Sequence, residues 1–79
     1  MPKSIHTAAY RALIKLMRGR REELGLSQSQ VAAKVGRDRS WLQRIEVCER
    51  RADFLETLDL LRVLGIDLAE AVAIVQKKP

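Results

Sequence analysis

At 79 residues, with one Cys, one His and a net charge of +5, the chain is expected to form one domain (1–79) with a small core; it cannot build a disulfide framework or the usual zinc constellations, and no cofactor or metal is expected. The start, Met1-Pro2-Lys3-Ser4-Ile5-His6, lacks an apolar stretch before a small-residue cleavage site, and no run of about 18 apolar residues occurs; neither secretion nor a membrane span is indicated, and a cytoplasmic protein is expected. Residues 1–51 hold twelve Lys/Arg against five Asp/Glu, a net +7, whereas the remainder carries −2, which suggests one face turned to a polyanion and another to something else.

Residues 7–24 read as a first helix with apolar positions at Leu13, Ile14, Met17 and Leu24, stopped by Gly25. Gly19 inside it costs roughly 1 kcal/mol relative to Ala, so fraying or bending is expected there. Ser27 with Gln30 forms a capping box for a second helix of about two turns, with Val31, Ala32 and Val35 inward and Gly36 as its left-handed stop. Asp38 caps a third helix with Leu42 and Ile45 inward. After a polar loop at 47–52, Asp53 with Glu56 opens a fourth helix whose buried stripe is Phe54, Leu55, Leu58, Leu61 and Leu64, ending at Gly65. Asp67 with Glu70 is a third capping box, starting a last helix (67–76) that is apolar at Leu68, Val72, Ile74 and Val75; Pro79 lies beyond its interior. No strand-like alternation, repeat or low-complexity linker appears, so the fold class is all-α, five helices with short connections.

The central pair of helices carries the chemistry. Unpaired N–H groups at a helix start make a phosphate seat, and Gln28 can add its side-chain amide to one. Arg39, Ser40, Gln43 and Arg44 lie at the start and on the outer side of the third helix. Arg39 can reach guanine O6 and N7 with two donors, Gln43 can pair bidentately with adenine, and Ser40 can reach a base or a phosphate. Each of these side chains alone is equally well explained as solvated surface; together with the capped helix before them and the short turn Gly36-Arg37-Asp38, they read as a helix that enters a DNA groove.

These features resemble the lambda-repressor-like (Cro/cI, XRE) family of helix-turn-helix regulators, over a core from about residue 10 to 68. The resemblance rests on Arg21-Glu22-Glu23-Leu24-Gly25-Leu26-Ser27-Gln28, Val31-Ala32-Ala33-Lys34-Val35-Gly36, Arg44-Ile45-Glu46 followed by Glu49-Arg50-Arg51, and Leu64-Gly65-Ile66-Asp67. It is most similar to small stand-alone bacterial members with a Glu-Arg-Arg loop before an Asp and a leucine-rich fourth helix. The resemblance implies a compact five-helix domain with the helix-turn-helix at helices 2 and 3. It implies Gln28 as a phosphate clamp, Arg39, Ser40 and Gln43 over base edges, and Arg44, Arg50 and Arg51 on the backbone. It also implies an internal Arg21–Glu46 salt bridge, and a two-fold contact through the last helix at Leu68, Val72 and Val75. The expected protein is a repressor that acts by occupancy, a homodimer on an inverted repeat with third helices about 34 Å apart.

Three positions depart from that pattern. Cys48 stands where Gly is usual, and a left-handed Cys costs about 1 kcal/mol, so another path for the loop is expected. Arg37 fills an often apolar turn position, as a further phosphate contact or plain surface. Arg20 replaces a packing Leu or Ala, its stem free to snorkel. Trp41 either meets DNA or packs on the second helix or the loop. Cys48 is either a thiol switch or inert, and His6 has no partner of ligand type. The carboxylates Glu22, Glu23, Asp53, Glu56 and Asp59 have capping or surface explanations and no accompanying nucleophile, so the chain is not expected to be an enzyme. Two other classes fit the same residues: an antitoxin whose apolar last helix grips a toxin, and an adaptor that kept the fold without DNA recognition.

Overall fold

A computed structural model describes residues 7–77; His6 and Pro79 lie outside the described residues. Five helices follow in order, α1 (Ala8–Glu23), α2 (Gln28–Lys34), α3 (Arg39–Glu46), α4 (Phe54–Leu64) and α5 (Leu68–Gln76). No strand occurs among the described residues, so the all-α expectation holds.

Local side-chain caps set most of the boundaries. Thr7 accepts from the Tyr10 N–H at 3.1 Å and starts α1, which runs unbroken through Gly19. Ser27 and Gln30 form the reciprocal box of α2, Asp38 accepts from the Trp41 N–H at 3.0 Å to start α3, and Asp53 and Glu56 form the box of α4. Each such cap stabilises its helix by about 1 kcal/mol. The third expected box does not form: Asp67 makes no side-chain cap, and the Glu70 carboxylate reaches instead to Arg20 at 3.0 Å.

Helices α2 and α3 end in the same way. The Gly36 N–H donates to the Ala33 carbonyl and the Arg37 N–H to the Ala32 carbonyl, with Gly36 left-handed at φ 73°; this pair of bonds closes the last turn. At the end of α3 the Cys48 N–H donates to Ile45 and the Glu49 N–H to Arg44, and Cys48 adopts φ 61°. The loop therefore keeps the left-handed path and the Cys bears a cost of about 1 kcal/mol, contrary to the sequence expectation. Two satisfied carbonyls offset it.

The core is drawn from all five helices, chiefly Ile14 and Met17 of α1, Val31 and Ala32 of α2, Leu42 and Ile45 of α3, and Leu60, Leu61 and Leu64 of α4, with Ala71 the contribution of α5. The expected stripe of α4 is only partly right. Leu61 and Leu64 are buried, but Phe54 and Leu55 are 68% and 71% exposed, and Leu58 is half-buried. Glu56 and Leu60 face inward instead, and packing of Leu60, Leu61 and Leu64 on the other helices leaves the first turn's apolar residues at the surface. Leu24, expected to pack, caps α1 and is also exposed.

A charged tie crosses this small core. Arg21, near the end of α1, donates from Nε and Nη2 to the two Glu46 carboxylate oxygens at 2.7 and 3.0 Å, and from Nη1 to the Leu26 carbonyl at 2.9 Å. Only 12% and 6% of the two side chains are exposed, so the pair is shielded from water and from salt. Arg21→Met strands the Glu46 carboxylate among Ile14, Val31 and Leu42, which line the same small void. It is expected to cost roughly 3 kcal/mol or more, read as a lowered midpoint in urea or heat; an unchanged midpoint refutes a structural role for the pair.

Candidate nucleic-acid interface

The turn between α2 and α3 is only four residues long, and α2 and α3 pack on one another. With Leu42 and Ile45 buried, the 3.6-residue period turns the opposite side of α3 outward. Arg39, Ser40 and Arg44 are exposed and Gln43 is half-buried. Arg39 and Arg44 enter none of the ion pairs found among the described residues. Ser40 donates its hydroxyl to the Asp38 carboxylate at 2.9 Å, which leaves its oxygen free to accept. That bond and the Trp41 N–H, the larger influence, hold the Asp38 carboxyl below its ordinary pKa.

Gln28 opens α2 and donates from Nε2 to Glu46 Oε1 at 2.9 Å. One of its amide hydrogens is thus committed, and the bond fixes the direction of the remaining one. The start of α2 is in this way tied to the end of α3 through the carboxylate that also holds Arg21. Hydrogen bonding to the Glu46 carboxylate raises the Arg21 pKa above its ordinary value.

The remaining cations are more committed than their types suggest. Arg50 donates from Nη1 and Nη2 to the two Glu56 oxygens at 2.9 and 3.0 Å, and Arg37 donates to Glu56 Oε2 at 3.1 Å. Both guanidiniums lie over the Trp41 ring, Arg37 at 5.2 Å and Arg50 at 5.9 Å from its centroid, and Arg51 lies over Tyr10 at 5.8 Å. Such contacts stabilise by about 0.5–1 kcal/mol at exposed sites. The indole is buried, so Trp41 packs rather than projecting outward. Tyr10, also buried, accepts from the Ala52 N–H at 3.0 Å, and burial pushes its pKa up.

Glu56 is the residue that sequence reasoning missed. Its place three after Asp53 explains it completely as a capping partner, and nothing in the local pattern marks its second use. The Arg50 hydrogen bonds hold its carboxyl down to about 2, against the opposing pull of partial burial. Arg20 has also changed role from the packing position it replaces: it donates to the Gly65 carbonyl at 3.3 Å and to Glu70, joining α1 to the end of α4 and the start of α5.

A protein-family sequence model described as a helix-turn-helix domain matches residues 11–73, from α1 into α5. No curated protein matches the sequence significantly. Domains of this family are non-catalytic, and no cluster of His, Cys, Asp or Glu fit to hold a metal ion occurs among the described residues. No helix among them is long and apolar enough to cross a membrane.

The Glu56 cluster makes stability depend on acid. A carboxyl whose pKa is depressed on folding contributes stability that is full above its unfolded value of about 4.3 and lost as pH falls further; here the loss runs down to about 2. Glu56→Gln should flatten the fall of the urea midpoint over that window. An acid limb as steep as that of the parent chain excludes Glu56 as its source.

Proposed function

The chain belongs to the helix-turn-helix domain family, whose fold is consistent with DNA-binding transcriptional regulation, and from that membership we propose a sequence-specific regulator of the lambda-repressor-like kind. In this reading the protein acts in the cytoplasm as a homodimer on an inverted-repeat operator and represses by occupancy. The observation that carries it is the outward face of α3: Arg39, Ser40 and Gln43 on a helix whose reverse side is buried and whose end is tied to α1 and α2. Those three residues read base edges. Gln28, Arg37, Arg44, Arg50 and Arg51 hold the backbone, positioning without specifying.

The homodimer draws support from an apolar face. Leu68 and Val72 are 50% and 39% exposed, beside exposed Phe54, while Val75 is half-buried. Between α1, α4 and α5 lies an open apolar groove of about 200 Å³. The body measures 32 × 26 × 20 Å along its principal axes, of the same order as the roughly 34 Å, one helical turn, that separates two half-sites. The same face supports a second reading, an antitoxin that represses its own promoter while a toxin covers α4 and α5.

Selection of bound duplexes from a random pool tests the reading, with recovery of an inverted repeat as the expected result and no enrichment as its refutation. Gln43→Ala should relax preference at one base pair, with about 1–3 kcal/mol of discrimination lost. Arg44→Ala should instead weaken all duplexes alike and reduce the salt slope by about one. Retained preference in the Gln43 variant removes it from the base-reading set.

Val72→Glu adds an unpaired charge to the apolar face without touching the core. In sedimentation at micromolar concentration the parent should run as a dimer and the variant as a monomer with lost preference for paired half-sites. A monomeric parent, even with operator present, refutes the homodimer.

A further inference from the structure

Beside the outward face of α3 lies an open polar cleft of about 370 Å³, lined by Gly36, Arg37, Asp38, Ser40, Trp41, Arg44 and Arg50. Its three guanidiniums come from three places in the chain: the turn before α3, the last turn of α3, and the loop after it. Two of them are fixed before any ligand arrives, since Arg37 and Arg50 share the Glu56 carboxylate and the Trp41 ring. Arg37 commits one N–H to Glu56, leaving the rest of its guanidinium for the cleft, while Arg44 enters no ion pair among the described residues. The Trp41 indole presents its ring face to Arg37 and Arg50.

We propose that Arg37, Arg44 and Arg50 form one preset seat for a single phosphodiester group of the DNA backbone, with Glu56 as its positioning residue. Glu56 does not touch the phosphate. It orders two long side chains that would otherwise lose rotamer freedom on binding, and it does so although its own charge opposes the ligand. The two effects of the carboxylate have opposite signs. If it only screened, its removal would tighten binding; if it positions, its removal weakens binding. The seat rests on the DNA-binding reading above.

The test compares the parent chain with Glu56→Gln on two duplexes, the selected operator and a random sequence. Gln at this place retains an oxygen to accept the Asp53 N–H, so the start of α4 is preserved while the charged clamp is lost. Although the net charge rises by one, affinity for both duplexes should fall by the same factor, about tenfold, with base preference unchanged. The loss should vanish when Arg37 and Arg50 are both already Ala, an interaction that a merely structural role would not produce.

Equal or tighter binding by Glu56→Gln, or an additive loss in the Arg37→Ala/Arg50→Ala background, overturns the proposal. A parent chain that binds neither duplex refutes the DNA reading itself and the seat with it. Should Glu56→Gln melt near the assay temperature, Arg50→Lys takes its place: the charge is kept but the two-point contact to Glu56 is lost. A tenfold loss is expected there too, and parental affinity overturns the seat.

Discussion

Three helices meet on the carboxylate of Glu46. Arg21 of α1 engages both oxygens, Gln28 of α2 donates to one of them, and the carboxylate itself closes α3. Hydrophobic contact is non-directional, so a core of aliphatic side chains would let α2 and α3 slide or rotate slightly on α1. A bidentate guanidinium–carboxylate pair has a fixed geometry and does not. Its burial makes it costly to assemble and more costly to break by one half, so the register of the three helices depends on it. The directions of Gln28 and of the outer face of α3 follow from that register.

Glu56 repeats the arrangement on the other side of α3. It gathers Arg37 and Arg50 as Glu46 gathers Arg21 and Gln28, and the Trp41 ring lies beneath the guanidiniums. In a chain this short, few residues are available for burial, and the stems of these arginines cover apolar surface that no further helix covers. The polar knots on either side of α3 thus serve packing as well as direction. They also explain why acidic side chains lie against α3: both carboxylates hold cations of neighbouring elements.

What was legible in the sequence was what is decided within three or four residues. Ser27 with Gln30 and Asp53 with Glu56 bond inside one turn, so their pattern predicts their geometry. Asp67 with Glu70 has the same pattern but forms no box; the Glu70 carboxylate is engaged by Arg20, fifty residues away, a partner that no local pattern shows. The α4 stripe failed for a related reason: a helix start containing Phe54, Leu55 and Leu58 offers more than one apolar face, and only the packing of Leu60 and Leu61 on the other helices selects among them. At Cys48 the local penalty was read correctly, but its outcome was not, because two carbonyls at the end of α3 needed the left-handed turn more than the Cys resisted it. The proposed reading residues of α3 were visible from spacing alone; the clamp on Arg37 and Arg50 was not, since it joins the turn, the loop and α4.

Arg20 connects the two faces of the protein. It stands one residue before Arg21, so adjacent side chains of α1 reach in different directions: Arg21 to the end of α3, and Arg20 to the Gly65 carbonyl and Glu70. The α4–α5 corner is therefore anchored to the same turn of α1 that anchors α3. An apolar residue at this position would pack α5 but would leave its angle to be set by shape alone, whereas the two hydrogen bonds of Arg20 restrict it. The exposed face formed by Phe54, Leu68 and Val72 is consequently held at a fixed orientation to the outer face of α3. A surface that joins two copies must have that property, because half-site spacing on a duplex is set by the angle between the joining face and the reading helix and not by the strength of either contact.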